Sequence, residues 1–186
     1  NEVSIQPPDK FASALDALSD KVVQVDPGGT AAWVFERLGA AGATINPAPD
    51  PCQLPKAIKN DVELAGARTS HARDGVALAK FLHWLEVFAP QGELDEMGAE
   101  AQLEAYRHAG DHFRDLSFPT IPGSGANGAL VHYRVTESSN RVLRPGEFYL
   151  VDSGAQYLDG TTDVTRTIAI GQPSDEMRDR FTRVLK

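Results

Sequence analysis

The sequence predicts an α+β protein in two parts, and three observations support this prediction. Residues 1–50 alternate short helical and strand patterns, which is typical of a small α/β layer. A proline-rich segment at 47–55 follows and is the best candidate for a domain boundary. Two long helical patterns and then paired strand patterns come after it. We therefore expect one domain over residues 1–55, including the linker, and a second over 56–186.

The composition is that of an ordinary globular protein, with 41% hydrophobic and 24% charged residues. A net charge of −8 disfavours nucleic acid or an anionic membrane as the main partner. No run approaches the roughly 18 apolar residues of a membrane span, and the first residues lack a signal-peptide pattern. The single cysteine, Cys52, fits a reducing cytoplasm and is expected to be a small apolar linker residue.

The first part has four expected elements. Residues 10–19 carry apolar side chains at helical spacing, and 21–25 alternate as a short strand. Thr30 is expected to cap a helix that runs to about Leu38. Residues 43–45 form a second brief strand, so the part reads helix, strand, helix, strand.

The second part is expected to begin with a long helix from Asp61 to about Phe88, with Asn60 and Glu63 as a capping box. Its apolar face is predicted from residues at helical spacing: Leu64, Ala67, Val76, Leu78, Phe81, Leu82, Leu85 and Phe88. The histidines on it, His71 and His83, are expected to be packed or surface residues.

A second helix is expected from Asp95, as its cap, to about His108. His108 and His112 stand four apart, but the glycine between them favours a helix end over a metal site. Residues 118–128 are glycine-rich and are expected to form a loop, followed by a strand over 129–133.

Two carboxylates interrupt the last strand pair. Asp152 follows the apolar run 149–151, and Asp163 precedes the returning run 164–170. A helix is expected to start at Ser174. Carboxylates buried in strands are costly unless they are hydrogen-bonded, paired with a cation or bound to metal.

The pairing of these strands has two candidate registers. A turn at 159–160, the best local turn signal, would place Asp163 opposite Gln156. A turn two residues earlier would place Asp163 opposite Asp152, with Cβ atoms within about 5 Å. Both registers put the two aspartates on one face of the sheet, because side chains alternate. We prefer the second, with a wider loop or a bulge.

Two carboxylates at such a short distance either share a proton or bind cations together. Arg166 is three residues from Asp163 and so points to the opposite face, which favours a pair of divalent metal ions. The alternative is two exposed aspartates on a solvated face. The sequence has no HExxH, CxxC or GxSxG motif that would indicate another chemistry.

The stretch 152–167, Asp-Ser-Gly-Ala-Gln-Tyr-Leu-Asp-Gly-Thr-Thr-Asp-Val-Thr-Arg-Thr, resembles the metal-binding hairpin of Xaa-Pro aminopeptidases of the long three-domain form. Residues 125–133 resemble that family's active-site strand, and 58–60 resemble the entry to its catalytic domain. The similarity covers about 43–186. It implies the start of a pita-bread catalytic domain preceded by the tail of a smaller α/β domain of the creatinase N-terminal type.

The resemblance also implies roles for three residues. Asp152 and Asp163 match two ligands of a dinuclear site, usually manganese, with Asp163 bridging the two divalent ions. His132 matches a histidine that contacts substrate and assists proton movement; taken alone, it would be expected in the core. In the family, a metal-bridging water or hydroxide attacks the carbonyl of the N-terminal residue and releases it from the following proline.

Peptides with proline at the second position are therefore the implied substrates, and a homodimer is a family expectation. A further histidine and two glutamates are expected beyond Lys186, so the chain is expected to be a fragment. Alone, it is expected to be inactive and to bind manganese weakly.

Two other readings stay open. A prolidase, which cleaves Xaa-Pro dipeptides, shares the implied fold and ligands, although 153–157 and 159–162 favour the aminopeptidase. A catalytically inactive pita-bread module that binds peptides or proteins is the second alternative. Loss of metal ligands is typical of such modules, whereas both aspartates are present here.

Overall fold

A computed structural model describes residues 3–186, which divide into two compact units. The first unit ends at Lys59, and the second runs from Asn60 to Lys186. This division falls four residues after the boundary expected from the proline-rich segment.

The first unit is a small α/β layer. Two parallel strands pair from Val22↔Thr44 to Val25↔Pro47, and Leu15, Val25 and Leu38 form the buried core of this unit. Its elements are α1 (Phe11–Asp16), β1 (Val22–Val25), α2 (Ala32–Ala40), β2 (Thr44–Pro47) and α3 (Gln53–Ala57).

The order helix, strand, helix, strand is as predicted, with two corrections. The first helix is shorter than 10–19, because only Phe11–Asp16 is α-helical and a short 3-10 helix precedes it. Thr30 is not the cap of α2: the N-cap is Ala31, whose side chain has no oxygen to accept a hydrogen bond. The proline-rich linker also contains the short helix α3, which was not predicted.

The second unit has three helices that begin where predicted: α4 (Asp61–Phe88), α5 (Glu96–His108) and α6 (Asp175–Leu185). The predicted capping box of α4 is confirmed, because the backbone N–H of Glu63 donates to the Asn60 side chain and the Glu63 side chain accepts from Asn60 N–H, both at 2.9 Å. Asp95 and Ser174 cap the other two helices. Among residues 3–186, none of the helices combines the length and apolar character needed to cross a bilayer.

The buried face of α4 differs from the predicted one. Ala77, Leu78, Phe81 and Leu85 are buried at helical spacing, whereas Val76 is 57% exposed. The predicted Leu64 and Phe88 are also exposed. Two polar residues, Ser70 and Asp74, continue the buried face toward the N-terminus of the helix.

The sheet of the second unit is antiparallel and has β4 at its centre. Strand β3 pairs along one edge of β4, and β5 and β6 pair along the other. The strands are β3 (Phe113–Ser124), β4 (Phe148–Tyr157), β5 (Gly160–Thr161) and β6 (Val164–Ala169).

Strand β3 corrects the expected loop at 118–128 and strand at 129–133. The chain is extended over Phe113–Ser124 and then turns through a short 3-10 helix, Gly125–Ala129. Proline is tolerated in an edge strand, and the pairing of β3 with β4 shifts its register at three points. Gly123 is needed for close packing, since a Cβ there would lie 2.6 Å from Gly128 Cα.

Helices α4 and α5 cover one face of this sheet. From β4, Tyr149 and Val151 point into the core that the two helices complete. Burial of these apolar side chains is the main stabilising contribution. Because side chains alternate along a strand, Asp152 lies on the face opposite to the one that the helices cover.

Candidate metal centre

The hairpin that carries the two aspartates has one continuous register. Asp152 pairs with Thr165 on β6, and Gln156 pairs with Thr161 on β5. The residue numbers of the two partners add up to the same total in both pairs. Strands β5 and β6 therefore follow one register against β4, with no residue inserted between them. Asp163, in the gap between β5 and β6, therefore lies opposite Gly154. The two predicted registers placed it opposite Gln156 or Asp152, each two residues from Gly154.

The same-face relationship survives this correction. Asp163 lies two residues before Thr165, which is directly opposite Asp152, so the two aspartates are diagonal neighbours on one face. Diagonal cross-strand positions lie about 7–8 Å apart at Cα. A direct pair was predicted, but the turn centred on Leu158 and Asp159 shifts the register.

The carboxylates are more accessible than expected. Asp152 is partly buried and Asp163 is exposed, because their face of β4 is the one that α4 and α5 do not cover. The Asp152 carboxylate is nevertheless oriented: Thr165 Oγ1 donates a hydrogen bond of 2.7 Å to Asp152 Oδ1.

This arrangement fits part of a metal site. Carboxylate oxygens are the donors that hard divalent ions such as manganese and magnesium prefer. Within residues 3–186, no group of three or more histidine, cysteine, aspartate or glutamate side chains is assembled for metal binding. Asp152 and Asp163 therefore present two candidate ligands on an open face rather than a closed coordination shell.

His132 lies on a turn and not in a strand or the core. The N–H of Tyr133 donates to the Leu130 carbonyl at 3.2 Å, and His132 has the left-handed φ of 56° that type II turns require at their third residue. Its side chain is exposed. His132 is therefore not the core residue that would be the default for a histidine taken alone.

The segment that carries His132 is attached to the sheet near Asp152. Arg134 donates to the Pro119 carbonyl of β3 at 3.3 Å, and Ile121, two residues further along β3, pairs with Asp152. Asp152 thus lies on β4, Asp163 immediately precedes β6, and Arg134, two residues after His132, contacts β3 of the same sheet.

A buried polar network lies on the opposite face of β4. Arg107 donates to both oxygens of Asp74, at 2.8 and 3.1 Å, and to Ser153 Oγ at 3.1 Å. The Tyr157 hydroxyl donates to Asp74 Oδ1 at 2.9 Å. The network thus joins α4 and α5 to the residue that follows Asp152.

Sequence reasoning missed this network, although a signal was present. Asp74 lies at helical spacing from the buried Ala77 and Leu78, and Arg107 lies four residues after the buried Leu103. A charged residue in the core-facing register of a helix indicates a buried partner. Burial, together with the hydrogen bond to Asp74, raises the pKa of Tyr157 well above its ordinary value.

The tip of the hairpin is held by a second ion pair. Arg73 donates to both carboxylate oxygens of Asp159, at 2.9 and 3.1 Å, and this bonding lowers the pKa of Asp159. Helix and tip are in close contact, since a Cβ on Gly66 would lie 2.2 Å from the Asp159 carbonyl oxygen. Helix α4 therefore fixes the turn from which Asp163 returns.

The chain belongs to metallopeptidase family M24, whose profile matches residues 65–186. A second profile, the creatinase/prolidase N-terminal domain, matches residues 1–63. These matches confirm the resemblance recognised in the hairpin and the expected order of a creatinase N-terminal-like domain followed by a pita-bread domain.

Curated relatives carry Xaa-Pro aminopeptidase names. A Drosophila melanogaster Xaa-Pro aminopeptidase is 52% identical over 132 residues, which is 70% of this chain and 22% of the relative. A probable Xaa-Pro aminopeptidase P of Aspergillus niger is 41% identical across the whole chain and 32% of its own length. The chain thus spans about a fifth to a third of the length of these relatives.

Solved structures agree with this fold. An X-prolyl aminopeptidase from Caenorhabditis elegans, described as a cytosolic enzyme with a di-nuclear active site, is 33% identical with a TM-score of 0.78. The match covers 93% of this chain and 29% of that one. A prolidase from Pyrococcus furiosus has a TM-score of 0.77, covers 95% of this chain and 50% of its own, and at 21% identity supports the fold alone. The predicted α+β, pita-bread fold class is confirmed.

Proposed function

We propose that the full-length protein is a metal-dependent Xaa-Pro aminopeptidase. It would hydrolyse the bond between an N-terminal residue and a following proline, with peptides of that kind as substrates. The observation that carries the proposal is the placement of Asp152 and Asp163 on one open face of a hairpin in an M24 chain. The names of the similar proteins support the aminopeptidase over the prolidase.

Asp152 and Asp163 would hold two divalent metal ions, which we propose to be manganese, with Asp163 shared between them. When bound, such ions lower the pKa of a water molecule and stabilise negative charge on a carbonyl oxygen. Thr165 would keep the Asp152 carboxylate in the orientation needed for binding, through the 2.7 Å hydrogen bond. The exposed face leaves room for the remaining ligands and for a peptide.

His132 would contact the substrate and hold or move a proton during bond cleavage. Its exposed side chain on a hydrogen-bonded turn supports this role, because an imidazole on a fixed backbone can reach a bound peptide without rearrangement. The turn is joined to β3, whose partner strand β4 carries Asp152.

The further proposals concern the setting of the enzyme. We propose domain limits of 1–55 and 56–186, a homodimeric full-length protein, and a cytoplasmic location. The description of the C. elegans relative as cytosolic and the single cysteine support that location.

The proposal is tested with the full-length protein, stripped of metal and reloaded with manganese. A tripeptide Xaa-Pro-Xaa and a dipeptide Xaa-Pro are compared as substrates, and metal content is measured for the parent protein, Asp152→Asn and Asp163→Asn. Asp175→Asn, an exposed residue of α6, is the matched control.

Cleavage of the tripeptide at the bond before proline, and loss of metal and turnover in both variants but not in the control, would support the proposal. Preferential cleavage of the dipeptide would identify a prolidase instead. Absence of both metal binding and turnover in the parent protein would favour an inactive binding module.

A further inference from the structure

Glu96, in the first turn of α5, is a fully buried carboxylate with an unusual set of partners. Its exposure is 0%, and it forms no salt bridge within the described residues. It accepts instead from Ser124 N–H at 2.7 Å, Tyr133 O–H at 2.8 Å and Arg141 N–H at 3.1 Å. The Asn127 side-chain amide donates to both of its oxygens, at 3.0 and 3.1 Å.

All of these donors belong to one segment, residues 124–141. The segment begins at Ser124, the last residue of β3, and the rest of it consists of a short 3-10 helix, turns and irregular chain. One carboxylate therefore binds the two ends of the segment, Ser124 and Arg141, and two points between them. We define these 18 residues as the Glu96-bound segment.

The hydrogen bonds offset the cost of burying this charge. A carboxylate moved out of water without compensation is strongly destabilising, and hydrogen bonds to a charged group are about twice as strong as neutral ones. The N-terminus of α5 adds a favourable dipole. The cost of burying the Glu96 side chain is thus offset only while the segment stays wrapped around it.

His132 lies between two of the bound residues. Leu130 N–H donates to the Asn127 carbonyl at 3.1 Å, and Tyr133 N–H donates to the Leu130 carbonyl at 3.2 Å. The left-handed φ of His132, 56°, is imposed by the second of these turns. Fixing Asn127 and Tyr133 therefore fixes the backbone that presents His132.

We propose that Glu96 is a positioning residue, which holds the Glu96-bound segment in the form that places His132 against the substrate. The inference rests on the proposed function of His132. Glu96 accepts from none of the residues on the aspartate-bearing face of β4 and β6, so its replacement leaves the metal ligands intact.

The test uses the full-length protein and a double-mutant cycle of Glu96→Gln with His132→Ala. An amide at position 96 has nearly the shape of the carboxylate but turns an NH₂ group toward N–H donors, so bonds to the segment are lost. Tyr133→Phe removes only one of the donors to Glu96, together with the bonds of that hydroxyl to Asn127 and Ser139, and serves as the milder variant. Glu104→Gln, on the same helix and paired with the exposed His108, is the control.

We expect Glu96→Gln to lower kcat between about 10- and 100-fold, as small displacements of a catalytic group do, and Tyr133→Phe to lower it less. In the His132→Ala background, Glu96→Gln should cause no further loss, because both changes remove the same contribution. Amide hydrogen exchange should rise over 124–141 and stay unchanged over β4. Metal content should equal that of the parent protein.

Additive losses of kcat in the cycle, or unchanged exchange over 124–141, would overturn the inference while leaving the aminopeptidase proposal intact. A His132→Ala variant with full activity would overturn it as well. A parent protein without Xaa-Pro cleavage would instead refute the proposed function, and hydrogen exchange would still decide whether Glu96 holds the segment.

Discussion

Asp74 of α4 and Arg107 of α5 form a bidentate ion pair in which the side-chain exposures are 5% and 0%. Because Arg107 also donates to Ser153 of β4, the pair joins both helices to the strand that carries Asp152. The aspartate-bearing face of β4 is accessible, and its opposite face is fixed by buried charges.

Replacement of Asp74 by alanine should destabilise the fold by about 3–5 kcal/mol, because it leaves the Arg107 guanidinium buried without its counter-charge. The midpoint of urea unfolding of the full-length protein, followed by a probe in this domain, measures the loss. Asp179→Ala breaks the exposed pair with Arg183 on α6 and should cost less than about 1 kcal/mol. Equal losses of unfolding free energy for Asp74→Ala and Asp179→Ala would contradict the larger cost expected at the buried pair.

Two glycines of α4 should respond to alanine in opposite directions. Gly66 lies against the hairpin tip, where a Cβ would be 2.2 Å from the Asp159 carbonyl oxygen, whereas nothing lies within 4 Å of a Cβ on Gly75. Gly66→Ala should destabilise by about 1–3 kcal/mol through overpacking. Gly75→Ala should stabilise by up to about 1 kcal/mol, because alanine is the better helix former.

The same unfolding measurement checks both substitutions. A stabilising Gly66→Ala would show that the turn moves freely away from α4. A destabilising Gly75→Ala would indicate that the added Cβ meets a neighbouring atom, contrary to the open surroundings of Gly75.

Local patterns predicted the helices because their signals are local. The capping box at Asn60, the cap at Asp95 and the start at Ser174 depend on residues three apart in the chain. The same-face position of Asp152 and Asp163 also followed from the sequence alone. It holds in every hairpin register in which the numbers of two paired residues add up to an odd total.

Strand β3 was not predictable in this way. Its two prolines and its one glycine favour a loop locally, and it is extended because β4 supplies its hydrogen bonds across a long sequence separation. The exposure of Asp163 was missed for a related reason, because only tertiary packing decides which face of β4 the helices cover. Glu96 and Arg107 have core-facing spacing on α5, but their partners lie at least 28 residues away.

The ion pair at the hairpin tip should make stability depend on acid pH. Hydrogen bonds from Arg73 lower the pKa of Asp159 below its ordinary value of 3.8. A carboxylate with a lowered folded-state pKa stabilises fully above the unfolded pKa, and this contribution is lost as the pH falls through the folded value. The parent protein should therefore lose it below about pH 4, whereas Asp159→Asn should lack it at every pH.

Thermal unfolding between pH 3 and 7 compares the parent protein, Asp159→Asn and the control Asp179→Asn. The difference between the parent protein and Asp159→Asn should shrink as the pH falls below about 4. A difference that stays constant over this range would show that Asp159 acts through packing and not through its charge.

Thr165→Val should weaken metal binding without changing the fold. Valine keeps the β-branched shape that suits β6, but it removes the hydroxyl that donates to Asp152 Oδ1 at 2.7 Å. Loss of such a supporting hydrogen bond lowers metal affinity about 10- to 100-fold in metalloproteins. Manganese titration of the metal-free full-length protein by calorimetry measures the change.

Thr167→Val is the control for this prediction. Thr167 lies two residues further on the same strand and face, where it pairs with Leu150, so the manganese affinity of Thr167→Val should match that of the parent protein. Equal losses in both variants would mean that the threonines support the strand, and unchanged affinity in Thr165→Val would mean that Asp152 needs no such support to bind metal.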